Sequence, residues 1–190
     1  MNFQVKILLV MSAIFLIASC SSSEKENAQD TDQGASDMAE RIHTLEDSLF
    51  ENMAFDRRNA QMLMDVYKAY VSAYPLDVRA PEFLFRAAGV ARSMKDAKQS
   101  IALYDRIIRD YSSWERIPDT YYLKAFTIDT ELGQKGEAKE AYQKVINQFP
   151  DHPFAKDAKA MIANLEYTDE ELIARFKQME AQDTSAAAAN

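Results

Sequence analysis

The chain has 190 residues, 22 Lys+Arg against 30 Asp+Glu for a formal net charge of −8, and only 4 Gly and 5 Pro. So few turn-making residues exclude a sandwich or barrel of many short strands, and the acidic balance argues against general binding to a phosphate backbone. The single cysteine, Cys20, allows neither an internal disulfide nor a cysteine-based metal cluster. The two histidines, His43 and His152, have no His or Cys at ligand spacing, so no metal and no cofactor is expected.

At the N-terminus, Met1 to Lys6 carries one positive charge and leads into the apolar run Ile7 to Ile17. That is the layout of a secretory signal peptide, and the run is shorter than the about 20 residues that a spanning helix needs. The ending Ile17-Ala18-Ser19-Cys20 resembles a bacterial lipobox. The resemblance implies cleavage before Cys20 and acylation of its thiol and new amino group, so residues 1–19 read as a lipoprotein signal peptide. Ser21 to Ser36 holds no large apolar residue, and residues 20–37 read as a disordered acidic tether with an r.m.s. reach of about 20 Å. Serine rather than aspartate after the cysteine favours the outer membrane, facing the periplasm. The stretch Ser21-Ser22-Ser23-Glu24-Lys25-Glu26 also fits a signal for surface export.

From there the apolar spacing is helical throughout. Met38, Ile42, Leu45 and Leu49 are spaced for a helix near 38–54, which either starts a short coiled coil or packs on the helices that follow. Leu63, Tyr67, Tyr70 and Tyr74 put one stripe on a helix near 57–73. Further helices are expected near 81–94, 96–110, 118–132, 136–148, 153–166 and 169–180. Pro81 and Pro118 suit a first helical turn, which needs no N–H. Gly133 suits a helix end, and Thr168 with Glu171 reads as a capping box. Residues 181–190, with their run of alanines, read as a frayed, disordered tail.

The helices repeat. Tyr74, Tyr111 and Phe149 each close an amphipathic helix and recur at a nearly constant spacing. Tyr122, Ala125-Phe126 and Asp129 in one helix, then Ala138, Tyr142 and Pro150 in the next, resemble the tetratricopeptide repeat family. Leu84, Ala87-Ala88, Ala91, Ser100 and Tyr104 match one repeat earlier, and the Leu-Gly pair of the family pattern is missing. The resemblance implies an all-α, tetratricopeptide-like solenoid of about four antiparallel hairpins over residues 38–180. The loops of the form Phe149-Pro150-Asp151-His152-Pro153 resemble an envelope subgroup. It includes the BamD-type outer-membrane assembly lipoproteins and the Tol-Pal-associated periplasmic repeat protein.

The sequence shows no phosphate-cradling glycine loop and no nucleophile elbow, and a non-enzymatic adaptor is expected. In the resembled family the first helix of each hairpin lines a binding groove. That implies Phe85, Arg86, Gly89 and Arg92 from one repeat and Leu123, Lys124, Thr127 and Glu131 from the next. Arg86 and Lys124 fall at equivalent places. They either face one groove as a pair of cations for an acidic group or are ordinary helix charges paired with neighbours. Trp114 reads equally as an exposed partner anchor or as a cap on the repeat interface. The expected partners are envelope or outer-membrane proteins, with the membrane held through the lipid and no nucleic acid. The alternative is a self-associating module of the cell-wall or Tol-Pal machinery acting through residues 38–54.

Overall fold

A computed structural model describes residues 21–50 and 56–188. The described residues contain eight helices and no strand. They are α1 (Ser21–Phe50), α2 (Arg57–Ala73), α3 (Ala80–Ser93), α4 (Ala97–Asp110), α5 (Ile117–Leu132), α6 (Lys135–Gln148), α7 (Pro153–Asn164) and α8 (Asp169–Ala188). Packing runs between neighbours in the chain, from α1 on α2 to α6 on α7, as in a solenoid whose repeats touch only adjacent repeats.

Local chemistry sets the helix ends. Asp56 accepts a hydrogen bond from the Arg58 amide (2.8 Å), and Asp96 accepts one from the Gln99 amide (3.0 Å). Both satisfy donors left over at a helix start. Pro81, Pro118 and Pro153 lie in first turns, where no N–H is lost. The capping box is formed: the Thr168 amide donates to Glu171 (2.8 Å), and the Glu171 amide donates to the Thr168 hydroxyl (3.3 Å).

The chain reverses between α3 and α4 at Lys95 (φ 62) and between α5 and α6 at Gly133 (φ 65). Only Gly takes this left-handed backbone without a Cβ clash. Gly133→Ala is therefore expected to cost about 1–2 kcal/mol, and Lys95→Gly to gain roughly 0.5–1 kcal/mol. Paired urea titrations against the parent check both signs.

The aromatic closures repeat as the sequence spacing predicts. Tyr74, Tyr111 and Phe149 take nearly one backbone conformation, with φ of −129, −133 and −132. Each amide donates to the carbonyl four residues earlier, on Tyr70, Ile107 and Val145. Each carbonyl then accepts from an amide three residues on, at Asp77 (3.2 Å), Trp114 (3.0 Å) and His152 (3.0 Å). The Tyr111 hydroxyl donates to the Pro75 carbonyl (2.9 Å) and ties one inter-repeat loop to the previous one.

Two apolar clusters form the core. The larger joins α1 to α4 with the start of α5 through Ile42, Leu63, Tyr70, Phe83, Leu84, Tyr104 and Ile107. The smaller joins α5, α6 and α7 through Ala125, Ile128, Ala138, Tyr142, Val145 and Ala158. Ile42, Leu63 and Tyr70 lie on the predicted stripes and Leu84, Tyr104, Ala125, Ala138 and Tyr142 at predicted repeat positions, whereas Phe83, Ile107, Ile128 and Ala158 are buried positions the spacing does not indicate.

The N-terminal helix departs from expectation. Residues 21–37, read as a tether, are helical, and Ala35 and Ala39 are buried against the larger cluster. Small alanines carry this packing where large apolar residues were sought. Once that turn is seated, each further residue extends the helix without a new nucleation cost. Met38, Ile42 and Leu45 also pack on the larger cluster, so their stripe is used inside the molecule. At the other end α8 runs to Ala188 rather than stopping near 180, in keeping with the high helix propensity of its alanines. Residues 51–55, the signal segment 1–19 and Cys20 lie outside the described residues.

Candidate partner-binding face

The first helices of the hairpins, α1, α3 and α5, carry the residues expected to meet a partner. The structure links the three by a ladder of charges. On α1, Glu46 is buried, with 8% of its surface exposed. It accepts two hydrogen bonds from Arg86 on α3 (2.8 and 2.9 Å), one from the Tyr67 hydroxyl on α2, and lies 3.0 Å from His43. Arg86 also donates to Glu82, one helical turn earlier (3.0 Å). Glu82 accepts from Arg116 at the start of α5 (2.9 Å), and Arg116 reaches Asp119 (3.4 Å). The Arg116 guanidinium lies 4.1 Å from the Phe85 ring centroid, a cation–π stacking distance.

These contacts set the electrostatics. Burial pushes the Glu46 carboxyl up, but Tyr67, Arg86 and His43 together outweigh it and hold the group below its ordinary value. Burial opposes the charge on Arg86, and Glu46 with Glu82 more than offsets that. Burial first, then the Glu46 carboxylate, pushes the Tyr67 hydroxyl up. All three groups are fixed in the charge states that bind one another.

The predicted cation pair is not brought together. Arg86 is spent on Glu46 and Glu82, and Lys124 pairs with Asp105 on α4. Thr127 is fully buried, and its hydroxyl donates to the Leu123 carbonyl one turn back (2.7 Å), so it cannot line an open groove. Leu123 is half-buried on the larger cluster. Phe85 is half-buried between Tyr104 (5.9 Å) and Trp114 (5.6 Å), both edge-on. Trp114 therefore caps the repeat interface. Glu131 pairs with Lys95 (3.2 Å), and Gly89 is half-buried.

Arg92 is different. It is half-buried on α3, makes no ion pair among the described residues, and lies 5.6 Å from the ring centroid of Phe126 on α5. A cation beside an aromatic, bridging two repeats, can accept a carboxylate and an apolar group together. Phe126 was not singled out from sequence as a site residue. The signal was present: it stands at the glycine place of the repeat pattern, where a small residue lets two helices approach.

Among the described residues no group of three or more His, Cys, Asp or Glu could hold a metal, and no helix is long and apolar enough to cross a membrane. The family model described as tetratricopeptide repeat matches residues 119–152, which span α5, α6 and the closing turn. No curated protein matches the chain. Repeats of this kind generally mediate protein–protein interaction, which fits an adaptor.

Proposed function

We propose that this chain is a lipid-anchored adaptor of a bacterial envelope, holding a segment of a partner protein on the face formed by α3 and α5. The observation that carries the reading is Arg92, a cation without a carboxylate partner among the described residues, set over Phe126 across a repeat boundary. The partner segment that suits it is acidic or ends in a carboxylate, with an apolar side chain alongside. The charge ladder from Glu46 to Asp119 neutralises the rest of this face and keeps the first helices in register.

The anchoring half of the reading rests on Ile17-Ala18-Ser19-Cys20. Several acyl chains on one residue hold a protein to a bilayer stably, whereas one does so marginally. The helix from Ser21 to Ala35 would set the body about 20 Å from Cys20, at 1.5 Å per residue. An outer-membrane site is the favoured address, with an assembly role as one setting for the partner. Cys20→Ala is expected to move the protein into the soluble fraction of lysed cells. Retention of that variant in membranes after an alkaline wash would contradict the anchor.

A further inference from the structure

Five large apolar side chains are left exposed among the described residues. Met62, Leu76 and Val78 belong to α2 and the loop after it, and Ile173 and Met179 belong to α8. On α2, Met62 lines an open depression together with Val66, Ala69, Arg57, Arg58, Gln61 and Asp65. On α8 every described side chain is exposed.

The repeat pattern accounts for the exposure of the described α8 side chains. Residues 119–152 make one repeat, and a stretch of the same length after it holds α7 and most of α8. Leu172, Phe176 and Met179 stand one repeat length after Ala138, Tyr142 and Val145, which are fully buried on α6. The sequence of α8 therefore has the apolar stripe of a packed second helix. Its seat is lost on α7, where Lys156 and Lys159 stand one repeat length after Tyr122 and the buried Ala125. The link at 165–168 also has no left-handed residue like those that turn the two earlier hairpins. Burying two lysines without partners costs more than the stripe would return.

We infer that α8 of one molecule docks lengthwise in the α2 depression of a second copy. An amphipathic helix in an apolar trough is a recurrent recognition mode, and the charges agree. The helix carries Asp169, Glu170, Glu171, Glu180 and Asp183 against Arg175 and Lys177. The trough offers Arg58 and Arg57, the latter also donating to the Met94 carbonyl (3.2 Å), while its Asp65 is engaged by Lys68 (2.8 Å). The contact is intermolecular because of reach. The hairpin that contains α7 is three repeat steps of about 10 Å from the one that contains α2, whereas the four-residue link after α7 spans at most about 14 Å. Trough and helix are different surfaces, so the contact is head-to-tail and extends beyond two copies.

The test uses the full chain with Cys20→Ser in non-ionic detergent, followed by sedimentation velocity over a hundredfold concentration range. The parent should gain mass with concentration. Met62→Glu alone and Met179→Glu alone should each weaken association at least tenfold, with unchanged far-UV circular dichroism, since both positions are exposed. Mixing the two variants restores one good trough and one good helix, so a heterodimer should form and growth should stop there. Self-association of either single variant at the parent's strength would overturn the inference. So would a mixture that stays monomeric, or a parent that is monomeric throughout.

Discussion

Tyr104→Ala is expected to lower the unfolding free energy by about 3–5 kcal/mol, the range for deleting a fully buried aromatic ring. Tyr104 sits on the apolar stripe of α4 with none of its surface exposed, in the cluster that joins α1 through α5. Its ring meets Phe85 edge-on, so its loss opens a void in the larger cluster beside the Phe85, Trp114 and Arg116 stack. Close-packed interiors relax only partly around such a void. Tyr142→Ala removes the equivalent ring from the smaller cluster, together with a hydroxyl that donates to Asp129 (3.3 Å). Repeat arrays are stabilised between nearest neighbours, so the two variants should differ in what they loosen. Amide exchange should speed up mainly in α5, α6 and α7 for Tyr142→Ala, and across α1 to α5 for Tyr104→Ala. Equal acceleration everywhere in both would mean a single cooperative unit.

Glu46→Ala should cost about 3 kcal/mol, the lower end of the range for removing one partner of a buried ion pair. The lower end applies because Arg86 keeps Glu82 and has 38% of its side chain exposed. The variant leaves the Tyr67 hydroxyl buried without its carboxylate, a further unmet donor. The same cluster has a pH signature. Glu46 is held below its ordinary 4.5, so more protons are bound in the unfolded state, and its stabilisation is complete above about pH 5. That contribution is lost as the pH falls through the lowered value. Asp77 behaves alike: two hydrogen bonds from Arg79, both 2.7 Å, hold it at about 2 against burial. Its contribution fades between about pH 4 and 2 and is about 1–2 kcal/mol. In urea titrations the gap between parent and Glu46→Gln should therefore shrink on going from pH 6 to pH 3. A gap that stays constant would show that the carboxylate's charge is not what stabilises this junction.

Much of the architecture was legible in the sequence because it follows from one-faced burial and a few backbone rules. The stripes through Tyr67, Tyr104 and Tyr142, the aromatic closures at Tyr74, Tyr111 and Phe149, and the turn at Gly133 each follow from spacing or from a residue's allowed backbone. The first helix was less legible, since Ala35 and Ala39 give no large apolar signal and the preceding residues are as polar as a tether. The binding face was the least legible. Glu46 lies 40 positions before Arg86, and no local spacing links them. Thr127 looks like a surface residue until its hydroxyl is seen to satisfy the carbonyl one turn back. Among the described residues of α3 and α5, the cation without an ion-pair partner is Arg92, and its aromatic companion Phe126 occupies the place where the repeat pattern departs from the family.

The most direct test of partner docking on α3 and α5 is site-specific photo-crosslinking in native membranes. Crosslinking residues would replace Arg92 and Phe126, with exposed Lys139 on α6 as a control on the opposite layer. One defined protein captured from the first two sites and absent from the third is the predicted result. Equal labelling at all three sites, or capture from Lys139 alone, would contradict the assignment of this face.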